Sequence, residues 1–436
     1  VALGGFFVYT RGVGQAASAQ RVGQNTAEQR CRSDGVRQVR TQASEMIKRK
    51  EGRAMKRALL IAVVCVVVLV VLLAISGPVL TRLGVQGLFY IESSSGQLRL
   101  VRATVDPASL PALVPGASPA LAGDAKPVII DTDMAADDWM AILYLLQQSS
   151  VDVKAITVVG TGEAHCVPGV QNALDLAALA GRPEIPVACG RETPLAGDHA
   201  FPTTWRQRVD SLLGLSLPRN PNAPYDGSAV ELLTRVVEQS PQKVHLTTLG
   251  PLTNVAEAIE ARPELVDNLE RITIMGGAVN VPGNVRASSN TGNDLAEWNV
   301  YADPHAAAIV LGSGAPITLV PLDATQYVPV TLDFYKQLKR NRGTPAAEFV
   351  YRVLTQKESD VRSGTYCFWD PFTAAVVMDD KLAAFEEMTL TVIEEEGPQS
   401  GRTLVSSTGH PVRVANGADA VGFEGLFLDT LNGRLP

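Results

Sequence analysis

Short apolar runs alternate with segments of helical periodicity through most of the chain. Apolar runs of about four to eight residues between Gly, Pro or polar residues are typical of buried strands, and apolar positions three and four apart are typical of helices. The sequence predicts strands at 128–130, 153–159, 244–249, 271–275 and 317–321. It predicts helices at 138–147, 170–180, 228–239, 252–261 and 304–311. Such alternation indicates an α/β fold on a doubly wound, mostly parallel sheet.

The pattern changes after residue 384. The segments MTLTVIEEEG, RTLVSS and PVRVAN each contain a short alternating run, with no helix between them. Short strands that follow one another directly are typical of antiparallel pairing. We therefore expect a small antiparallel appendage at this end of the domain.

One long apolar segment near the amino terminus differs from all the others. Residues 58–76 carry no charge, are about long enough to cross a bilayer, and follow six Lys or Arg residues between 48 and 57. The segment is therefore interpreted as a transmembrane signal anchor, or as a signal peptide cut after residue 76, and its length favours the anchor. Either way the rest of the chain is expected outside the cytoplasm, membrane-anchored or secreted.

The flanking regions differ in composition from a folded domain. Residues 1–54 are rich in Arg, Gln, Ser and Gly, so we expect disorder there, and they form a possibly non-native extension if the natural start is Met55. Residues 77–125, rich in Pro, Ala, Ser and Gly, are predicted to be a linker or stalk, with a possible short hairpin. The globular domain is predicted at 126–436.

Composition narrows the classes of function. A net charge of −7 over 436 residues gives no indication of nucleic-acid binding. The five cysteines have no metal-binding spacing. A bridge between Cys166 and Cys189 is conceivable if the domain is exported, but the sequence does not decide it.

The segment DTDMAADD at residues 131–138 is the strongest candidate for chemistry. Four carboxylates fall within eight residues, between a predicted strand and a predicted helix. Ligands of open α/β sheets bind at the carboxyl ends of strands, and a hard cation relieves repulsion among carboxylates. The segment therefore predicts a metal or catalytic site. The alternative is a helix cap with a solvated turn.

Four further motifs fall near predicted strand ends. They are GPLTN at 250–254, MGG at 275–277, AEWN at 296–299 and WDP at 369–371. Each has an ordinary structural interpretation alone, as a packing turn or a helix cap. Together with DTDMAADD, and in this order, they resemble the inosine-uridine preferring nucleoside hydrolase family over about residues 126–430. The resemblance implies an N-ribohydrolase that inverts configuration, acts on a small-molecule nucleoside and binds Ca²⁺ tightly; a homodimer or homotetramer would fit the family.

The resemblance also implies residue roles. The Ca²⁺ ligands would be Asp133, Asp138, Asp370 and the backbone carbonyl of Leu249, with Asp133 also the general base. The sugar would be held by Asp137 and Asn299 at the 2′- and 3′-hydroxyls, by Asp370 on the 3′ side, and by Met275 packing. The 5′-hydroxyl would meet Glu297 and either Asn284 or Asn293, with Asn284 favoured.

The sequence departs from the family pattern at three places. Met134 and Ala135 replace Pro-Gly in the turn, and Thr161 stands where Asn is frequent, which weakens an expected contact to the 2′-hydroxyl. Trp369 replaces the His that serves pyrimidine-handling members as an acid. An indole stacks on a purine instead, which favours purine substrates. Trp205 is expected either on the other face of that stack or in ordinary packing.

Two other functions stay open at this point. The same fold and metal would suit a ribose- or nucleoside-binding module with little turnover, because no His occupies the leaving-group position. An Mg²⁺-dependent phosphohydrolase would use Asp131 as nucleophile and Asp133 as acid/base. That second alternative gives the AEWN and WDP motifs no role.

Overall fold

The computed structural model describes residues 89–94, 97–102, 110–288 and 292–434. The predicted extension at 1–54 and the predicted anchor or signal peptide at 55–76 lie outside these residues. Within the described ranges, no helix combines the length and the hydropathy needed to cross a membrane.

The strands and helices are numbered here in chain order. The strands are β1 Phe89–Ser94, β2 Gln97–Arg102, β3 Lys126–Thr132, β4 Val151–Val158, β5 Val187–Cys189, β6 Val244–Thr248, β7 Leu269–Met275, β8 Ile317–Val320, β9 Ala383–Val392, β10 Thr403–Val405 and β11 Pro411–Ala418. The helices are α1 Ala136–Leu146, α2 Cys166–Leu179, α3 Thr203–Asp210, α4 Ala229–Gln239, α5 Thr253–Ala261, α6 Val285–Ser288, α7 Trp298–Ala302, α8 Pro304–Gly312, α9 Leu322–Thr325, α10 Leu332–Arg340, α11 Pro345–Gln356, α12 Glu358–Ser363, α13 Trp369–Met378 and α14 Ala420–Leu431.

One sheet of nine strands organises the domain, in the order β10-β9-β11-β8-β7-β6-β3-β4-β5. Every neighbouring pair from β11 to β5 is parallel. The predicted doubly wound, mostly parallel α/β fold is therefore confirmed. All five predicted strands and all five predicted helices are present, with ends shifted by a few residues.

The antiparallel strands predicted after residue 384 are also present, but they belong to the main sheet. β9 pairs antiparallel with both β10 and β11, while β11 pairs parallel with β8. Earlier in the chain, β1 and β2 form the short hairpin predicted within the linker. The last part of that predicted linker contacts the domain, since the Gly116 amide donates to the Leu179 carbonyl at 2.7 Å.

Helices cover both faces of the sheet because the inner strands are apolar on both sides. In β3, Val128 and Ile130 join a core shared with α1, α2, α11, α13 and α14, whereas Ile129 joins a second core shared with α4, α5 and α8. Successive strand side chains point to opposite faces, so one buried strand contributes to both cores. This packing explains why β3 reads as a continuous apolar run.

Local sequence also sets the helix starts. Ser228 and Glu231 form a capping box at α4: the Glu231 amide donates to Ser228 Oγ at 3.2 Å, and the Ser228 amide donates to Glu231 Oε2 at 2.7 Å. Such reciprocal bonds satisfy two amides that have no partner within the helix. Predicted helix 228–239 therefore begins one residue later than expected, with Ser228 as its cap.

Candidate active site

The site lies where the sheet changes winding direction. The chain runs from β3 outward to β4 and β5, then returns to β6 on the other side of β3 and continues to β7 and β8. Loops leaving β3 and β6 therefore diverge and open a crevice at the carboxyl edge, where doubly wound sheets bind ligands. Asp133 follows β3, Leu249 follows β6, and Met275 ends β7.

The turn between β3 and α1 is built around Met134. Its φ is +60°, a left-handed conformation that is costly for a bulky residue. The Met134 amide donates to Thr132 Oγ1 at 3.0 Å, and its carbonyl accepts from Trp139 Nε1 at 2.8 Å. These bonds hold the turn in the absence of the family's Pro-Gly.

The Asp133 carboxylate is held by two backbone amides. Oδ1 accepts from Ala135 at 3.2 Å, and Oδ2 accepts from Glu163 at 3.0 Å. Burial raises the pKa of Asp133 to about 6, while the amides of Glu163 and Ala135 lower it by stabilising the charged form. The carboxylate is therefore fixed in orientation and largely ionised at neutral pH.

Two glycines allow loops to close around Asp133. A Cβ on Gly162 would lie 2.1 Å from Asp133 Cβ, and a Cβ on Gly250 would lie 2.7 Å from the same atom. Both distances are far below van der Waals contact, so any side chain at either position would displace Asp133. The glycine of the GPLTN motif is therefore needed because a larger residue would collide with Asp133.

Three carboxylates come together beside Asp133. Carboxylate oxygens of Asp137, Asp138 and Asp370 all lie within 4.8 Å of one another. Asp138 Oδ2 and Asp370 Oδ1 are buried and have no hydrogen-bond partner among the described residues. This group contains two of the three predicted carboxylate ligands, and it adds Asp137, which the resemblance assigned to the sugar.

The same cluster is electrostatically unfavourable without a cation. Burial, followed by the charges of neighbouring aspartates, raises the pKa of Asp138 and of Asp370 well above the usual range. Oxygen-rich groups with unpaired buried atoms are what a hard divalent cation requires. The residues present therefore fit a metal ion.

Asp131 is held by hydrogen bonds within the fold, next to the site. It is fully buried, and its Oδ1 accepts from Thr157 Oγ1 at 2.5 Å and from Asn254 Nδ2 at 2.8 Å. Asn254 also donates to the Val158 carbonyl at 3.1 Å, which ties the GPLTN segment to β4. A side chain engaged in this way is poorly placed to attack a substrate, so the geometry opposes a phosphohydrolase with Asp131 as nucleophile.

The AEWN motif joins the ends of β6 and β7. Asn299 Nδ2 donates to the carbonyls of Leu249 at 3.1 Å and Met275 at 3.2 Å. Glu297 caps α7, accepting from the amides of Asn299 at 2.9 Å and Gly277 at 2.9 Å. Burial raises the pKa of Glu297 to about 7. Four predicted site residues, Leu249, Met275, Glu297 and Asn299, are therefore directly connected.

The two candidate asparagines occupy different settings. Asn293 is buried and binds its own loop: Oδ1 accepts from the Leu295 and Ala296 amides, and Nδ2 donates to the Ser400 carbonyl at 2.8 Å. Asn284 is half-buried, and its Oδ1 accepts from the Trp298 amide at 3.1 Å. The geometry thus places Asn284 next to the AEWN motif and gives Asn293 a structural task.

Sequence reasoning missed three residues, Tyr366, Lys357 and Glu163. Trp369 begins α13 half-buried, and the Tyr366 ring meets it edge-on at 5.4 Å. Lys357 Nζ lies 5.2 Å from the centre of the Tyr366 ring. Glu163 follows β4, and its pKa rises to about 8 through burial and then the charge of Asp133. Only its position after a strand end could have indicated Glu163 from sequence.

Trp205, His165 and His199 make contacts with other residues of the domain. Trp205, on α3, packs against Trp298 with ring centres 5.5 Å apart, which matches the packing interpretation. His165 Nδ1 pairs with Asp210 at 2.7 Å, and the ring nitrogens of His199 contact the Tyr301 carbonyl and Glu396.

A disulfide bond joins the first residue of α2 to the end of β5. It links Cys166 to Cys189, with Cα atoms 5.5 Å apart. The conceivable bridge is therefore present in the structure, and it constrains the segment that carries Glu163. Cys367 is free and buried.

Comparison with known proteins agrees with this geometry. The sequence profile of the inosine-uridine preferring nucleoside hydrolase family matches residues 128–425. A probable uridine nucleosidase 1 of Oryza sativa subsp. japonica is 33% identical over 283 residues, 64% of this chain and 84% of the relative.

Solved structures show the same relationship. A plant nucleoside hydrolase superposes with a TM-score of 0.65 and 30% identity, covering 70% of this chain and 99% of that one. A purine-preferring ribonucleoside hydrolase from Gardnerella vaginalis has a TM-score of 0.61 and 28% identity, covering 71% and 99%. With the family profile spanning most of the chain and the fold and motifs in agreement, this chain belongs to the inosine-uridine preferring nucleoside hydrolase family and is an enzyme of that family.

Proposed function

We propose that the chain hydrolyses the N-glycosidic bond of ribonucleosides, with purines preferred, to give free base and ribose in a Ca²⁺-dependent reaction. The observation that carries the proposal is the buried group of Asp137, Asp138 and Asp370 beside an oriented Asp133. Nucleoside hydrolases generally use a metal ion, and this group has the oxygen donors for one.

Calcium fits the donor set better than a softer metal. Asp133, Asp138, Asp370 and the Leu249 carbonyl would hold the ion, and all four donors are hard oxygens. Ca²⁺ takes six to eight such ligands in flexible geometry, which leaves positions for water and a sugar diol. When bound, the ion would supply positive charge that acidifies water and orients the ribose.

Asp133 would act as the general base. Burial raises its pKa to about 6, which makes it a stronger base than an exposed carboxylate, and two amides fix its orientation. Asp133 would take a proton from the water as the water oxygen forms a bond to C1′. The C1′–N bond breaks with its electrons going to the base, which takes a proton from solvent as it leaves, while Asp133 later returns its proton to solvent. A single displacement of this kind inverts configuration at C1′.

The ribose would be positioned by groups that the fold brings to one edge. Asp137 and Asn299 would hold the 2′- and 3′-hydroxyls, with Asp370 on the 3′ side and Met275 against the ring. Glu297 and Asn284 would meet the 5′-hydroxyl, since Asn293 is engaged with the Ala296 amide and the Ser400 carbonyl. Carboxylates on several sides would stabilise the positive charge that develops on the sugar.

Purine preference rests on Trp369. Its half-buried indole is too weak an acid to transfer its N–H proton to a leaving nitrogen, but it offers an aromatic face on which a bicyclic base stacks well. Trp205 contributes to this stack only if it leaves its contact with Trp298. The relatives include a probable uridine nucleosidase and a purine-preferring ribonucleoside hydrolase, so base preference is the property to be measured.

We propose an extracytoplasmic location, membrane-anchored or secreted. The Cys166–Cys189 bond supports it, because disulfides persist in oxidising compartments. The apolar segment at 58–76 supports it independently. Protease accessibility of the domain on intact cells tests the location, and protection from protease would contradict it. A homodimer or homotetramer is a further prediction, which light scattering would test.

One assay tests the proposed reaction. The full chain is incubated with inosine, guanosine, uridine and a generic phosphate ester, with Ca²⁺ or with chelator. Ribose release from purine nucleosides that is lost on chelation, and lost in Asp133→Asn, supports the proposal. Nucleoside binding without ribose release would indicate a binding module, and phosphate release would indicate a phosphohydrolase.

A further inference from the structure

The phenol of Tyr366 is buried without a hydrogen-bond partner. The residue is 5% exposed, and within the described part of the chain its Oη contacts no donor or acceptor within bonding distance. Burying a hydroxyl without a partner costs about 1–3 kcal/mol in proteins. Such a group in an enzyme cleft is therefore a candidate for a bond that forms only with a ligand.

The ring is held from several directions. The Tyr366 carbonyl accepts from the Val330 amide at 2.8 Å, and the Cys367 backbone forms an isolated antiparallel β-bridge with Pro329. Trp369 packs edge-on at 5.4 Å, and Lys357 Nζ lies 5.2 Å from the ring centre. The phenol is thus positioned by its surroundings, so its lack of a partner reflects where the fold places it.

The surroundings also determine the protonation state of the phenol. Burial first, and then the negative charges of Asp137, Glu163 and Asp370, raise the pKa of Tyr366 well above its usual range. The hydroxyl therefore stays protonated at every physiological pH and can donate a hydrogen bond. The ring contacts Trp369, the residue before Asp370, so Tyr366 lies next to the carboxylate group.

We propose that Tyr366 donates a hydrogen bond to the departing nucleobase. This role rests on the proposed function. A base stacked on Trp369 would lie within reach of the phenol, because the two rings are in contact. As the C1′–N bond breaks, the base gains negative charge, and a hydrogen bond to a charged group is stronger than one to a neutral group. The proton stays on Tyr366.

Lys357 would strengthen this donor. Its ammonium lies over the Tyr366 ring at a distance typical of cation–π contacts. A cation there withdraws electron density from the phenol and so favours donation from the hydroxyl. Tyr366 and Lys357 together would supply leaving-group stabilisation at a position where Trp369 has no usable acid.

The test compares two substrates in the full-length Tyr366→Phe variant. Inosine has a poor leaving group that needs stabilisation, whereas 4-nitrophenyl β-D-riboside has a leaving group stable without it. Removing the hydroxyl should lower kcat for inosine about 10- to 100-fold, in line with the loss of a bond to a charged acceptor. The rate with the nitrophenyl riboside should change less than about threefold.

Tyr144→Phe is the matched control. Tyr144 is also fully buried with an unpaired phenol oxygen, but it packs against Phe427 on the helical face of the core. That variant should hydrolyse both substrates as the wild type does. Thermal melts add a second measurement: Tyr366→Phe should be at least as stable as the wild type, because its hydroxyl is unsatisfied in the free protein.

The outcomes separate the two proposals. Wild-type rates with both substrates in Tyr366→Phe would overturn the role of Tyr366 and leave the proposed function standing. Equal losses with both substrates, or a clear loss of stability, would overturn it in favour of a structural role. A wild-type protein that releases ribose from neither substrate would overturn the proposed function, and the role of Tyr366 with it.

Discussion

Asp138, in the first turn of α1, and Asp370, in the first turn of α13, bring carboxylate oxygens within 4.8 Å of each other, and each has one buried oxygen without a partner. Two separate helices therefore place two carboxyl groups together, with one oxygen of each buried and unpaired. The free energy of this arrangement is unfavourable until a cation binds. Metal affinity and stability should thus be coupled in this protein.

Asp370→Asn tests that coupling. Without Ca²⁺ the variant should melt at a higher temperature than the wild type, because it lacks a buried carboxyl group whose raised pKa lowers the free energy of unfolding at neutral pH. At free Ca²⁺ about 100 times the dissociation constant, the wild type should gain about 3 kcal/mol, and the variant should lose most of that gain. Melting with Ca²⁺ or chelator measures both effects. Asp333→Asn, at an exposed surface pair with Lys336, is the control; a full Ca²⁺ response in Asp370→Asn would contradict the ligand assignment.

Asn254→Ala tests whether the hydrogen bonds from Asn254 to Asp131 and Val158 stabilise the domain. It removes the amide that donates to Asp131 at 2.8 Å and to the Val158 carbonyl at 3.1 Å. Leaving these buried acceptors unpaired should cost about 1–3 kcal/mol in the free energy of unfolding. Urea denaturation measures the loss. The exposed Asn416→Ala should change stability by less than about 0.5 kcal/mol, and equal effects in the two variants would rule out the network.

The Cys166–Cys189 bond should contribute to stability through chain entropy. Its partners are separated by 23 positions, and closing a loop of this size is worth about 3 kcal/mol in the unfolded chain. Reductant should therefore lower the melting temperature of the wild type to that of the Cys166→Ser/Cys189→Ser variant. The double variant should not respond to reductant. Identical melting of oxidised wild type and double variant would show that the bond contributes nothing.

His245 predicts a dependence of stability on acid. Burial, and then the charges of Lys126 and Arg271, lowers its pKa from 6.5 to about 4. In the unfolded chain His245 binds a proton below about pH 6.5, whereas in the folded chain it does so only below about pH 4. The free energy of unfolding therefore falls as pH drops through this window. The loss should reach about 3 kcal/mol.

A substitution isolates this contribution. Gln in place of His245 keeps a group able to bond Thr273, which His245 Nε2 contacts at 2.9 Å, but has no titrating proton. Chemical denaturation at intervals from pH 7 to pH 4 should show a shallower decline in His245→Gln than in the wild type. Parallel declines would mean that His245 is not the group responsible.

Substitutions of Asn284 and Asn293 should differ in how they affect substrates with and without a 5′-hydroxyl. Asn284→Ala should lower kcat/KM for inosine about 10-fold but barely change it for 5′-deoxyinosine, which lacks the hydroxyl that Asn284 would meet. Asn293→Ala should chiefly lower stability, because it frees the Leu295 and Ala296 amides and the Ser400 carbonyl. Steady-state kinetics and melting decide the matter, and a substrate-selective loss in Asn293→Ala would reverse the assignment.

The sequence by itself determined the alternating α/β order, the parallel sheet and the residues that reach its carboxyl edge. Strand and helix periodicity is local, and the carboxyl ends of parallel strands necessarily meet at one edge. Asp133, Asp138 and Glu297 could therefore be selected from short motifs. Asp133 and Asp138 lie next to β3 for this local reason, whereas Glu297 reaches the end of β7 through the Gly277 amide.

Only the tertiary structure decided which distant groups meet. Tyr366 and Lys357 come from the helical region before α13, where no periodic pattern had been assigned a role, and packing places the Lys357 ammonium over the Tyr366 ring. The division of Asn284 from Asn293 likewise depends on which carbonyls and amides each side chain reaches. Burial and partner geometry are properties of the folded chain, and they set hydrogen bonding and pKa in ways that residue spacing does not encode.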